Sequence, residues 1–433
     1  MNIKSLLLGS AAAVVAVSGA QAADAIVVEP EPVEYVRICD AYGSGFFYIP
    51  GTETCIRFGG YVRSSYEKGY FDRDVHDQVQ ITAGAPAVST GGTNVVVAPA
   101  TAVGGGTFEL EFWGQRARLD IDTRNETDWG TLRAQYRLEG GDSNTDADID
   151  MDRALISLAG FRFGFTDNYW TTNHGYAAVN FTGLGAIAWT QDDGFYGFND
   201  ATMADYTWAA DGFAVTVGVE DPRIDYAAVG VVTTNFNGAA TDTNAFANFY
   251  AGVNYSADWG SLAFTAVHDS GAVDNGLGAA QDNGGWAYKA SITLDISEWV
   301  PGGVLHGKYM ADGDYRTNYV HTNGALLDAS HVWQVSYQMD LTDELQMMAQ
   351  YSHADGDDLE GAANAVLANH TEEGDAWIAS VGLNWFPAAA PGFSVRGSYK
   401  WGEANDALRA SATNLAIVDE EFHGFFIGVR RDF

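Results

Sequence analysis

The stretch QRARLDIDTRNETDWGTLRAQYRLEG, residues 115–140, decides the fold. In extended chain, Arg116, Arg118, Asp120, Asp122 and Arg124 fall on one face, and Ala117, Leu119, Ile121 and Thr123 on the other. Beyond a polar turn at 125–130, Arg133, Gln135, Arg137 and Glu139 alternate with Leu132, Ala134, Tyr136 and Leu138. Successive side chains of a strand point to opposite faces, so this period of two predicts an antiparallel hairpin with one apolar and one charged face.

The same alternation recurs along the chain. Trp286, Tyr288, Ala290, Ile292 and Leu294 alternate with Ala287, Lys289, Ser291 and Thr293, and comparable series run over 333–339, 345–352, 377–384 and 393–401. A soluble sandwich also alternates. Two features favour a membrane barrel instead: the apolar faces end in Trp, Tyr and Phe, as in an aromatic girdle, and the connections alternate between short and long. Short turns lie near 125–130, 159–160, 209–212, 256–261, 297–303, 340–344 and 387–392. Long loops lie near 68–107, 140–150, 167–201, 221–245, 270–284, 312–330, 354–374 and 402–420. These connections imply an all-β, 16-stranded antiparallel transmembrane β-barrel with both ends on the short-turn side, the bacterial outer-membrane arrangement.

Composition agrees. Among 433 residues there are 22 Lys and Arg against 57 Asp and Glu, a net charge of −35, which repels nucleic-acid phosphates. A hydrophobic fraction of 47% and an aromatic fraction of 13% are too high for a disordered acidic chain. Residues 1–22 read as a signal peptide: Lys4, an apolar run from Leu6 to Val17 too short to span a bilayer, then Ala20-Gln21-Ala22. Residues 23–54 read as a periplasmic amino-terminal segment, opening with the acidic, proline-containing ADAIVVEPEPVE, and 55–433 as the barrel. Phe433 ends an alternating strand with Phe425, Ile427 and Val429 on its face, although Arg431 interrupts that series.

Three motif blocks extend this reading. VRICDAYG (36–43), FFYIPGTETC (46–55) and GGYVR (59–63) together resemble the alphaproteobacterial, rhizobial-type general porin family. That resemblance implies a 16-stranded barrel, usually trimeric, with the third long loop folded into the lumen. It implies passive diffusion of small hydrophilic solutes across the outer membrane, with no catalytic residues and no cofactor. Implied partners are two further copies of the chain, outer-membrane lipid and lipopolysaccharide, and the barrel-insertion machinery reading Phe433. Similar amino termini become attached to peptidoglycan, which here would involve Ala23. A substrate-selective channel and a barrel acting mainly as a cell-wall tether remain alternatives. No nucleophile-elbow or HExxH motif argues for an enzyme.

If polar faces line the lumen, 14 of the 22 cations point inward. Closing the hairpin over a six-residue turn pairs Arg124 with Thr131, setting Asp122 across from Arg133, Arg116 from Glu139, and Arg118 from Arg137. The last is a like-charge opposition that needs compensation. Segment 167–201 contains Asp167, Asp192, Asp193 and Asp200 and no Lys or Arg. Folded inward, it would set Asp192 and Asp193 against a wall of Arg63, Arg116, Arg118, Arg137, Arg153 and Arg162, creating a transverse field that favours small polar solutes. The acidic loops predict a modest cation preference, which the inward arginines oppose. Cys39 and Cys55, in an oxidising compartment, are expected to form a disulfide, with two free thiols as the alternative. Asp146, Asp148, Asp150 and Asp152 could bind a divalent cation, but lack the glycine and glutamate of an EF-hand loop, and a solvated acidic loop is the simpler reading.

Overall fold

The computed structural model describes residues 37–80, 105–141, 149–173, 200–222, 247–269, 285–313, 319–320, 329–356, 374–410 and 414–433. A two-residue strand, β1 (Phe47–Tyr48), pairs with the start of β2. In chain order the remaining strands are β2 (Cys55–Gln80), β3 (Gly106–Thr127), β4 (Gly130–Gly140), β5 (Ile149–Leu158), β6 (Phe161–Asp167), β7 (Asp200–Ala210), β8 (Phe213–Pro222) and β9 (Asn248–Ala257). They continue as β10 (Gly260–Asp269), β11 (Gly285–Asp295), β12 (Val304–Asp312), β13 (Ala329–Thr342), β14 (Leu345–Gly356), β15 (Asp375–Trp385), β16 (Phe393–Ala410) and β17 (Asn414–Asp432). Each of β2 to β16 pairs antiparallel with the next, and β17 pairs with β2, so sixteen strands among the described residues form a closed barrel. Closure satisfies every strand edge, as a bilayer requires. Among the described residues no helix is long and apolar enough to cross a membrane.

The two faces differ as alternation demands. On β11, Trp286, Tyr288 and Ile292 are exposed while Ala287, Lys289 and Ser291 are buried on the opposite face. Toward the short turns the outer face carries Trp129, Trp208, Trp259 and Trp385; toward the long loops it carries Trp113, Trp286, Trp333 and Trp401. These are the two aromatic girdles of a lipid-facing band.

Five of the seven short turns fall within a residue or two of their expected places; the sixth, expected at 340–344, is confined to 343–344, and the first is also tighter. Thr127 pairs with Gly130, leaving only Asp128 and Trp129 between the strands. Arg124 therefore lies across from Arg133, Arg118 from Glu139, and Asp120 from Arg137, and the expected Arg118–Arg137 opposition does not occur. A two-residue shift keeps every side chain on its face while changing every partner, which is why the face assignment survives.

Parts of two expected loops are strand. β2 continues to Gln80 and β3 begins at Gly106, while β16 and β17 leave only residues 411–413 between them instead of 402–420. Phe71 still faces Phe422 and Thr107 faces Asp72, so these four strands rise as a paired apron beyond the apolar band. The apron was hidden because both of its faces carry polar residues, such as Lys68 and Glu109 outside and Arg73 and Glu420 inside.

The seam and the amino terminus are tied down. The Phe433 N–H donates to the Gly60 carbonyl at 3.1 Å, and the Gly60 N–H donates back at 3.2 Å. Gly60 has φ +154°, and a Cβ there would strike the Arg118 carbonyl, so the seam needs glycine. Arg431, which interrupts the terminal apolar series, turns its guanidinium back to the Pro391 carbonyl. Cys39 and Cys55 are joined in a disulfide with Cα atoms 6.0 Å apart. It buries Phe46, whose ring lies 5.0 Å from the Arg57 guanidinium and 4.9 Å from that of Arg124.

Candidate functional site: the charged lumen wall

The six arginines singled out above occupy five successive strands, β2 to β6, on the inner face. Five of them meet carboxylates. Arg116 and Arg118 share Glu139 at 2.6 and 2.5 Å. Arg137 donates to Asp120 at 2.6 Å and to Asp152 at 3.0 Å. Arg153 donates to Thr166 at 2.9 Å and to Asp167 at 3.2 Å. Arg162 grips Asp205 through two nitrogens, at 2.9 and 2.5 Å. Arg63 makes no ion pair with a described residue.

Sequence reasoning missed most of this neutralisation. Arg162 lies directly across from Asp205 and Arg118 across from Glu139, pairings visible only with the correct register. Asp167 is not a loop residue but the last of β6, where it serves Arg153, and Asp200 is the first of β7. Asp152 belongs to β5 and is committed to Arg137, which takes it out of the acidic row considered for a cation. Asp146 and Asp148 lie outside the described residues.

Like charges do stand opposite one another, at other places. Arg124 faces Arg133, and the Asp122 carboxylate between them accepts two hydrogen bonds from each, at 2.8 to 3.2 Å. Arg137 faces Arg153, with Asp120, Asp152 and Asp167 around the pair. Carboxylates relieve both of these oppositions, Asp122 by bridging the first pair and Asp120, Asp152 and Asp167 by flanking the second.

The other wall carries the start of segment 167–201. Asn168 caps the single helical turn Tyr169–Thr172, its side chain accepting from the Thr171 N–H at 2.7 Å. The turn packs against the inner face. Tyr169 stacks on Tyr250 with centroids 4.8 Å apart, the Trp170 carbonyl accepts from Lys289 Nζ, and the Asn173 amide donates to Thr265 Oγ1 at 2.7 Å. Gly252 leaves room for the Tyr169 ring and Gly218 for the Tyr250 ring; a Cβ at either position would collide with that ring. Asp192 and Asp193 lie outside the described residues.

A closed sixteen-stranded sheet, greasy toward lipid and lined with charge inside, defines a β-barrel channel of the bacterial outer membrane. The chain belongs to the porin subfamily, whose family model matches residues 24–424. It is 32% identical over 357 residues to porin Omp2a of Brucella ovis, covering 75% of this chain and 83% of that one. It is 33% identical over 346 residues to porin Omp2b of Brucella neotomae, covering 75% and 78%. Among solved structures, the outer membrane channel DcaP of Acinetobacter baumannii superposes with a TM-score of 0.52 at 13% identity, covering 89% of this chain and 99% of that one, a likeness of fold alone. The protein is thus a porin channel of the outer membrane rather than an enzyme.

Proposed function

We propose that the channel passes small hydrophilic solutes and ions passively, through an eyelet between the arginine wall and the third long loop. The observation that carries this is the inward course of Asn168–Asn173, whose residues pack on Tyr250, Thr265 and Lys289 instead of rising away from the barrel. Continued inward, residues 174–199 would bring Asp192 and Asp193 opposite Arg63, Arg116, Arg118, Arg137, Arg153 and Arg162. With five of those arginines already paired, the wall is close to neutral, which supports a general pore of modest ion preference over a strongly selective one.

In this reading the working unit is a homotrimer seated in lipid and lipopolysaccharide, and Phe433 is read by the insertion machinery during assembly. Residues 1–22 are removed on export, and 23–54 lie on the periplasmic side, where the disulfide fastens them to the barrel mouth and Ala23 is free for attachment to peptidoglycan. Liposome swelling tests the central point. Proteoliposomes should admit uncharged sugars at rates that fall smoothly with solute size and do not saturate. Saturable uptake of one sugar, with exclusion of others of equal size, would contradict it.

A further inference from the structure

Four arginines form an oblique row on the inner face of β16, β17, β2 and β3. Backbone register sets Arg430 directly across from Arg63, and Arg63 directly across from Arg116. Ser394 lies across from Arg430, and Arg396 follows two residues later on the same face of β16. Guanidinium groups stay charged at any pH the cell surface meets, so such a row repels itself.

The compensation found elsewhere in the lumen is missing at its centre. Arg430 bonds Asp432 at 2.5 Å, and Arg116 shares Glu139 with Arg118. Arg63 and Arg396 make no ion pair with a described residue, and Arg396 stands in the field of Arg430 and Arg63, which the Asp432 carboxylate opposes more weakly. Both other opposed arginine pairs, Arg124 with Arg133 and Arg137 with Arg153, have carboxylates bridging or flanking them.

Buried donors without partners lie at the same place. Ser394 is only 3% exposed and its hydroxyl has no hydrogen-bond partner, and neither has Arg396 Nε. Leaving buried donors unpaired is costly, and each could be satisfied by an acceptor oxygen arriving through the lumen. The Arg430 guanidinium is held 3.9 Å over the Tyr61 ring, which fixes one side of the seat.

We propose that Arg396, Arg430 and Arg63, with Ser394, form a seat for solute oxyanions, and for the phosphate group in particular. Two guanidinium forks without an ion-paired carboxylate and the Ser394 hydroxyl match the several acceptor oxygens of a tetrahedral anion better than a single halide. The seat deepens the porin reading and depends on the lumen being an open aqueous path. It would hold phosphorylated solutes briefly in a pore whose outer loops are acidic, giving them a local preference that net charge alone would not.

The test is single-channel recording of the full, folded protein in planar bilayers bathed in KCl at pH 7, with inorganic phosphate added. Wild type should show a saturable fall in open-channel current as phosphate rises, with acetate acting at clearly higher concentration. The double variant Arg63→Gln/Arg396→Gln should raise the half-blocking phosphate concentration about tenfold or more, since two charge-assisted contacts are lost. Arg63→Lys/Arg396→Lys should restore part of the block, and Arg133→Gln, in a carboxylate-bridged pair, should leave it unchanged. Folding of each variant is checked by its heat-modifiable migration on gels. Ohmic KCl conductance with no phosphate block, or a block equal in wild type and the double Gln variant, would overturn the seat and leave the porin reading standing. Absence of KCl conductance from folded wild type would instead defeat the porin reading.

Discussion

Asp122 shows what a single side chain does in this wall. Its carboxylate is almost fully buried and takes four hydrogen bonds from Arg124 and Arg133, with Arg57 at 3.7 Å. Asp122→Asn would leave an opposed arginine pair unbridged. Because the arginines remain partly hydrated, the expected loss is about 1–3 kcal/mol, less than for a fully buried pair. Urea unfolding followed by heat-modifiable migration should show a lower midpoint, and the reversal potential across a KCl gradient should move toward anion preference. Gly252 makes the steric counterpart. Gly252→Ala puts a methyl group into the Tyr169 ring, at an overpacking cost of about 1–3 kcal/mol unless the helical turn moves. If that turn holds the start of the eyelet loop, the variant should give altered single-channel conductance with normal assembly, and an unchanged conductance would detach the turn from the permeation path. At this scale the sequence was only half legible. That Arg118 and Arg137 face inward follows from period two, but which carboxylate each meets depends on a turn two residues long where six were expected.

Strands explain which segments could be read and which could not. β11, β13 and β15 alternate between apolar and polar within a bilayer's thickness, so their places were clear from that period alone. β2, at 26 residues, is more than twice the ~9–11 needed to span, and β16 and β17 are also long. Outside lipid, the pressure for an apolar outer face ends, and the pattern dissolves while the hydrogen-bonded pairing continues. Cysteine labelling would check this: Glu421→Cys, on the outer face of the apron, should react with a membrane-impermeant maleimide on intact cells. Val429→Cys, eight residues nearer the chain end and 42% exposed on the lipid face, should not. The amino-terminal element makes a separate prediction. Removing the disulfide with Cys39→Ser/Cys55→Ser should cost about 2–4 kcal/mol of local stability and open residues 40–52 to protease, with the barrel still resistant. Equal resistance of that segment in both proteins would mean that Phe46 packing alone holds it.

Across the whole molecule, closure, faces and charge act together. A closed sheet fixes an inside and an outside. Alternation sends Trp, Tyr, Phe and aliphatic side chains to lipid and arginine–carboxylate networks to the lumen. Strand number, closure and the inward arginines could be anticipated because they depend only on period and parity. The degree of charge neutralisation could not, because it depends on register across strands as distant in sequence as Arg162 and Asp205. The most direct measurement of the central claim is conductance of the folded protein in planar bilayers. A water-filled, charge-lined barrel predicts large ohmic steps that scale with KCl concentration and arrive in threes if the working unit is a trimer. Heat-modifiable, correctly folded protein that inserts and stays electrically silent would contradict it.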